Sequence, residues 1–199
     1  MCIYTFRVHK FPKPVRLALA GRNEPAPPTV RRARLTDVKQ IWELVGTYAA
    51  KGAMLPRTTA DIAARIDNYV VAIDNCGRVL ACAALEEYSP SLGEVSSVAV
   101  AAAEHGRGLG TQVVRGIERL ARSRDIEELF ALSLTDNFFR SMGYAPTTIS
   151  RYPAKLSRYE ALKSSGVDIV PKPCFNKRLD VAWPLPQLMP DAAHERMAG

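Results

Sequence analysis

The chain has 199 residues, 47% of them hydrophobic and 24% charged, enough for one domain with a substantial core. No apolar run approaches the ~20 residues of a membrane span, VRLALA is too short for a signal-peptide core, and Cys2, Cys76, Cys82 and Cys174 lack the paired spacing of a zinc site. The formal charge of +7 resides on the flanks, because residues 30–149 hold 14 basic and 14 acidic side chains; this argues against a nucleic-acid surface and for an anionic small ligand near one edge.

Residues 1–29 have no hydrophobic period and end in NEPAPPT, so they read as a poorly ordered leader and linker. Residues 1–23 contain Arg7, Arg16 and Arg22 but no acid, which leaves organelle targeting open beside the default of a cytoplasmic protein with reduced thiols. TVRRARL (29–35) reads as a strand. The helix after it carries Val38, Ile41, Trp42, Val45, Tyr48 and Ala49 on one face, with Asp37 and Gln40 suited to a capping box. A shorter helix starts near Thr58 and Thr59. NYVVAID (68–74) and RVLACAALEEY (78–88) read as strands joined by a turn at Asn75-Cys76-Gly77, and Cys82 is expected in the core.

GEVSSVAV (93–100) is a strand that leads into Gly106, Gly108 and Gly110, directly ahead of a helix with Leu109, Val113, Val114, Ile117, Leu120 and Ala121 as its buried stripe. Glycine weakens a helix by roughly 1 kcal/mol relative to alanine, so three together suggest a backbone that approaches a ligand closely. The unpaired N–H groups and partial positive charge of a helix start suit a phosphate or pyrophosphate, and Arg107 adds a full charge. A ligand-free glycine turn is the alternative. ELFALSL (128–134) reads as a buried strand, NFFRSMGY as a short helix closed by Gly143, APTTIS as another strand, and residues 171–181 as the last one. Residues 183–199, with Pro184, Pro186 and Pro190, read as a flexible tail. The spacing fits neither a dinucleotide fingerprint nor a P-loop.

The run His105-Gly106-Arg107-Gly108-Leu109-Gly110 resembles the acetyl-CoA loop of the GNAT superfamily, Gln/Arg-x-x-Gly-x-Gly/Ala, with His105 in place of the first residue. The runs VRRARLTDV, MLPRT, NYVVAI, ACAAL, GEVSSVAV and ELFALSL, in that order, resemble the acetyltransferase domain of N-acetylglutamate synthases, in short forms without the amino-acid-kinase domain. This resemblance implies an α/β GNAT acyltransferase fold over residues 30–182, a single mixed, mostly antiparallel sheet flanked by helices. It implies acetyl-CoA as co-substrate, no metal, and L-glutamate as acceptor, with no nucleic-acid or membrane partner; a homodimer is compatible with it. Another amino acid or small amine as acceptor, or a non-catalytic acetyl-CoA-binding module, are the alternatives.

Residue by residue, the resemblance gives the amides of His105, Gly106, Arg107, Gly108, Leu109, Gly110 and Thr111 to the coenzyme A pyrophosphate, and Val98, Ala99 and Val100 to its pantetheine arm. Asn137 and Phe138 would pack against the coenzyme; two adjacent aromatics, Phe138 and Phe139, also suit a core. Glu94 matches the base that deprotonates the amine through water, against a solvated strand-end carboxylate. Ser133 matches the acid that protonates the leaving sulfur, against a hydroxyl bonded to nearby backbone. Tyr144 is a second candidate for the acid. Arg57 matches the arginine that pairs with a glutamate carboxylate. For the second carboxylate the family uses an arginine and a serine in the last strand; Phe175 stands where that arginine should fall, and Lys177 or Arg178 is the expected substitute.

Overall fold

Alternating and continuous apolar runs form seven strands in the computed structural model of the chain, which describes residues 26–180. They are β1 (Thr29–Arg32), β2 (Tyr69–Ile73), β3 (Val79–Ser89), β4 (Leu92–Val100), β5 (Glu128–Leu132), β6 (Ala145–Thr147) and β7 (Cys174–Arg178). They make one sheet in the order β1-β2-β3-β4-β5-β7-β6, antiparallel throughout except where β4 meets β5. Five helices flank it: α1 (Val38–Ala49), α2 (Thr59–Ala64), α3 (Leu109–Arg122), α4 (Asp136–Ser141) and α5 (Pro153–Ser164). The expected mixed, mostly antiparallel sheet is what forms. The expected leader, up to residue 25, and tail lie outside the described residues.

Strand alternation divides the core between the two faces. Val70 and Ala72 turn toward α3, where Val113, Val114, Ile117, Leu129 and Phe175 complete one cluster. Tyr69 and Val71 turn the other way, onto Ile41, Val45 and Ile62 of α1 and α2; Cys82 belongs here, its thiol pushed up to about 12 by burial. Gly116 is dictated by this packing, since a Cβ there would come within 2.6 Å of Val70 Cγ1. Among the described residues no helix is long and apolar enough to cross a membrane.

The expected elements change in several places, the last strand shrinking from 171–181 to Cys174–Arg178 among them. β1 stops at Arg32, because a 3-10 turn at Leu35–Asp37 precedes α1. Asp37 caps that turn by accepting from Arg34 N–H at 2.7 Å, while Gln40 makes no capping box and instead accepts from Val79 N–H at 2.9 Å, tying α1 to the start of β3. β5 ends at Leu132, which leaves Ser133 just beyond the strand. β6 ends at Thr147. The segment after it, to which the sequence assigned no element, holds α5 with Pro153 in its first turn and Gly166 at φ 83° just past its end.

One irregularity makes room for a site. β4 and β5 pair only at Leu92 with Glu128, Gly93 with Leu129, and Glu94 with Phe130. Beyond Glu94 the two strands separate, and β4 bulges against β3, with Ser97 at φ 50°. The cleft so formed runs from Glu94 to the glycine loop.

Candidate active site

Two adjoining cavities fill this cleft, one of about 570 Å³ at the glycine loop and one of about 230 Å³ at Glu94. They share Tyr48, Val98, Ser133, Thr135 and Phe139 as walls.

In the larger cavity, Gly106 and Gly108 both have φ 76°, the left-handed region that favours glycine, and Gly108 is the N-cap of α3. No side chain caps that end, so the first-turn amides keep their donors for a ligand. Gly110 is needed because a Cβ would meet the Phe138 ring at 3.3 Å, and Phe138 closes this side of the cavity. His105, Leu109, Thr111, Val98 and Val100 also line it. Arg107 is not among the lining residues; its guanidinium is held in an ion pair with Glu104, which is. Of the other expected coenzyme contacts, Ala99 turns its side chain into the core under α1, which leaves only its backbone to meet a ligand, and Asn137 is exposed and borders neither cavity.

The exposed edge of β4 is capped. Tyr48 Oη donates to Val100 O at 2.6 Å and accepts from Val100 N–H at 3.4 Å; His105 Nε2 lies 2.9 Å from that hydroxyl and 3.1 Å from Val100 O. The variant residue of the loop motif is thus part of this cap.

In the smaller cavity Glu94 is not a solvated strand-end carboxylate: it is 4% exposed. Lys155 Nζ, from α5, donates to its two oxygens at 2.9 and 2.8 Å, and Tyr88 Oη donates to Oε2 at 2.9 Å. Burial, then the Glu94 charge, pushes the Tyr88 phenol up, and the same causes push Tyr159 up to about 12. Lys172 Nζ donates to Ala53 O at 2.6 Å; burial and then the Lys155 charge lower its pKa, against Glu94. Lys155, Tyr159, Lys172 and Tyr88 escaped the sequence reading, although Pro153, Gly166 and the helix formers between them could have marked α5.

Arg57 lines the same cavity. Its Nη2 donates to Glu86 Oε2 at 2.9 Å, and its buried Nε makes no hydrogen bond. Glu86 also holds Arg65 and Arg158; burial pushes its carboxyl up, but Arg158 and Arg57 outweigh that and keep it below its ordinary value. Ser133 Oγ accepts from Thr135 N–H at 3.0 Å, so it is bonded to nearby backbone, yet its own proton stays available where the cavities meet.

Three expected site residues lie outside the cleft. Tyr144 is buried on the α3 side, edge-on to Phe139 at 5.2 Å, where burial and then the Glu118 charge push its phenol up; it lines neither cavity. Lys177 donates to Glu118 and to Met142 O, both at 2.9 Å, on the same side of the sheet. Arg178 is exposed at the far end of β7, opposite Glu128. β-strand alternation explains Phe175 as well, since its side chain joins the α3 core and stacks on Phe139 at 6.0 Å.

Residues 37–144 match the acetyltransferase (GNAT) family. The chain belongs to that family. It is therefore an acyltransferase. The GNAT chain is 35% identical over 129 residues to an uncharacterized N-acetyltransferase of Chlorobaculum tepidum, covering 65% of this chain and 83% of the relative. It is 35% identical to an amino-acid acetyltransferase of Mycobacterium tuberculosis, covering 59% and 68%. N-acetylglutamate synthase from Neisseria gonorrhoeae, solved with coenzyme A and N-acetyl-glutamate, superposes with a TM-score of 0.67 at 25% identity; the match covers 76% of this chain and 35% of the synthase.

Proposed function

We propose that this GNAT chain transfers acetyl from acetyl-CoA to the α-amine of L-glutamate, the N-acetylglutamate synthase reaction that opens arginine biosynthesis. The charge of the smaller cavity carries the reading. Arg57, Lys155 and Lys172 line it against Glu94 alone. Lys155 is committed to Glu94, whereas the Arg57 guanidinium, bonded to Glu86 through Nη2 alone, and the half-buried ammonium of Lys172, which has no carboxylate partner among the described residues, are left for the two carboxylates of an acceptor. Lys172 then takes the part expected of Lys177 or Arg178.

In this reading the coenzyme lies in the larger cavity with its pyrophosphate on the amides that begin α3. The acceptor amine arrives as an ammonium and must lose a proton before it attacks; Glu94 takes that proton through water. The N–C bond forms, the C–S bond breaks, and Ser133 passes a proton to the departing sulfur. Of the two protons the nitrogen gives up, one leaves to solvent through Glu94 and the other ends on the thiol.

A second reading, a neutral amino acid such as glutamine as acceptor, is favoured by the Arg57–Glu86 pair, which already compensates part of the arginine's charge. Coenzyme A release from acetyl-CoA with a panel of amino acids separates the two. Glutamate should exceed glutamine by at least about tenfold in kcat/KM; equal rates would leave only the broader N-acetyltransferase reading.

A further inference from the structure

The ion pair between Glu94 and Lys155 is buried more completely than a surface contact needs, each residue being 4% exposed. Removing a carboxylate from water is costly unless a cation and hydrogen bonds replace its hydration. Here one ammonium reaches both oxygens and one phenol reaches Oε2, so three hydrogen bonds occupy the carboxylate of a residue that lines the cavity and leave Oε1 room to accept one more. Lys155 is itself held from the other side, with Nζ 4.6 Å from the centre of the Tyr159 ring.

We propose that Lys155 is a positioning residue that fixes the pH range in which Glu94 works, by supplying the counter-charge that lets a buried carboxylate remain a proton acceptor. This rests on the reading of Glu94 as base. The other groups that face the carboxylate cannot replace it. Tyr88 from β3 and Tyr159 from α5 are neutral phenols, Cys174 from β7 is a thiol, and Lys172 and Arg57 are turned to Ala53 and Glu86. Losing the Lys155 ammonium leaves a buried negative charge with no direct cation, a situation in which carboxyl groups take up protons at higher pH.

The test is the pH profile of kcat/KM for the full chain. Lys155→Met should move the acidic limb upward by about one pH unit or more, with activity recovering toward alkaline pH and the acetyl-CoA KM unchanged. Lys155→Arg should return the limb toward its original position. A loss of the same factor at every pH, with the limb unmoved, would overturn the proposal. If Lys155→Met does not fold, as judged by circular dichroism, the pair is removed together. Lys155→Met in a Glu94→Gln background should then change kcat by less than about twofold, since Lys155 acts through Glu94, whereas a further tenfold loss would show an independent role and overturn it. Glu94→Gln alone reports on the other question: parental activity at pH 7 in that variant defeats the base reading itself.

Discussion

The Tyr48 hydroxyl donates to the Val100 carbonyl at 2.6 Å and so ties the end of α1 to the open edge of β4. A coenzyme arm that pairs with this edge must displace it. Tyr48→Phe removes the competitor and should tighten coenzyme A binding by about two- to tenfold, the worth of one hydrogen bond. Calorimetric titration measures it; weaker binding would mean that the hydroxyl contacts the coenzyme instead.

Gly108→Ala should lower both stability and coenzyme affinity. No protein atom lies within 4 Å of the new Cβ, so the cost is conformational, roughly 1–2 kcal/mol for a non-glycine residue at φ 76°. Thermal unfolding gives the first effect, and the acetyl-CoA KM the second. An unchanged KM would remove this turn from the coenzyme site.

The acceptor cations should separate from those on the far face. Arg57→Ala and Lys172→Met are each expected to raise the glutamate KM by at least about tenfold while leaving that of acetyl-CoA alone, because a substrate carboxylate loses its partner. One of the two should also erase the preference for glutamate over glutamine. Lys177→Ala should cost stability through Glu118 and leave the acceptor KM near its parental value; Arg178→Ala should change neither.

Acid and base variants should divide the same way. Glu94→Gln is expected to lower kcat by about 10² to 10⁴, partly recovered at high pH where more amine is already neutral, and Ser133→Ala by about 10- to 100-fold. Tyr144→Phe should leave kcat within about twofold, since the ring lies on the α3 side of the sheet beside Glu118 and lines neither cavity. Steady-state rates and thermal melts decide each case.

Acid should unfold the protein partly through Asp37 and Glu86. Burial pushes Asp37 up, but Arg31 and the Arg34 N–H outweigh it, and Glu86 is lowered despite burial in the same way. With folded-state values below the unfolded ones near 4, these groups contribute stability above that pH. It is lost as pH falls through the lower folded values. Asp37→Asn and Glu86→Gln should flatten the acid decline of the melting temperature.

The parts of the fold with strong apolar periodicity were legible: the β2–β3 hairpin, the buried stripe of α3 and the Thr58 start of α2. The glycine loop was legible too, because positive φ and a close approach to Phe138 select glycine whatever the distant contacts. α5 was not, since the single residue it buries deeply is Lys155 and a helix that buries a charge shows no apolar stripe. That omission hid the partner of Glu94. Lys177 looked available because sequence shows its charge but not Glu118, which meets it from α3, far along the chain. Lys172, in a loop with no period at all, became visible only through the wall it shares with Arg57.

Only three residue pairs join the two halves of the sheet. β2, β3 and β4 fold back on one another through short turns, whereas β1 reaches β2 only after α1 and α2, β5 reaches β4 only after the whole of α3 has been laid down, and β7 and β6 attach through β5. Non-local strand pairing of this kind forms late because the intervening loop must close first. The cleft therefore lies along the seam between an earlier and a later folding unit. Native-state amide exchange should show β5, β6 and β7 opening together at lower free energy than β2 and β3, so that catalytic geometry is assembled last and lost first.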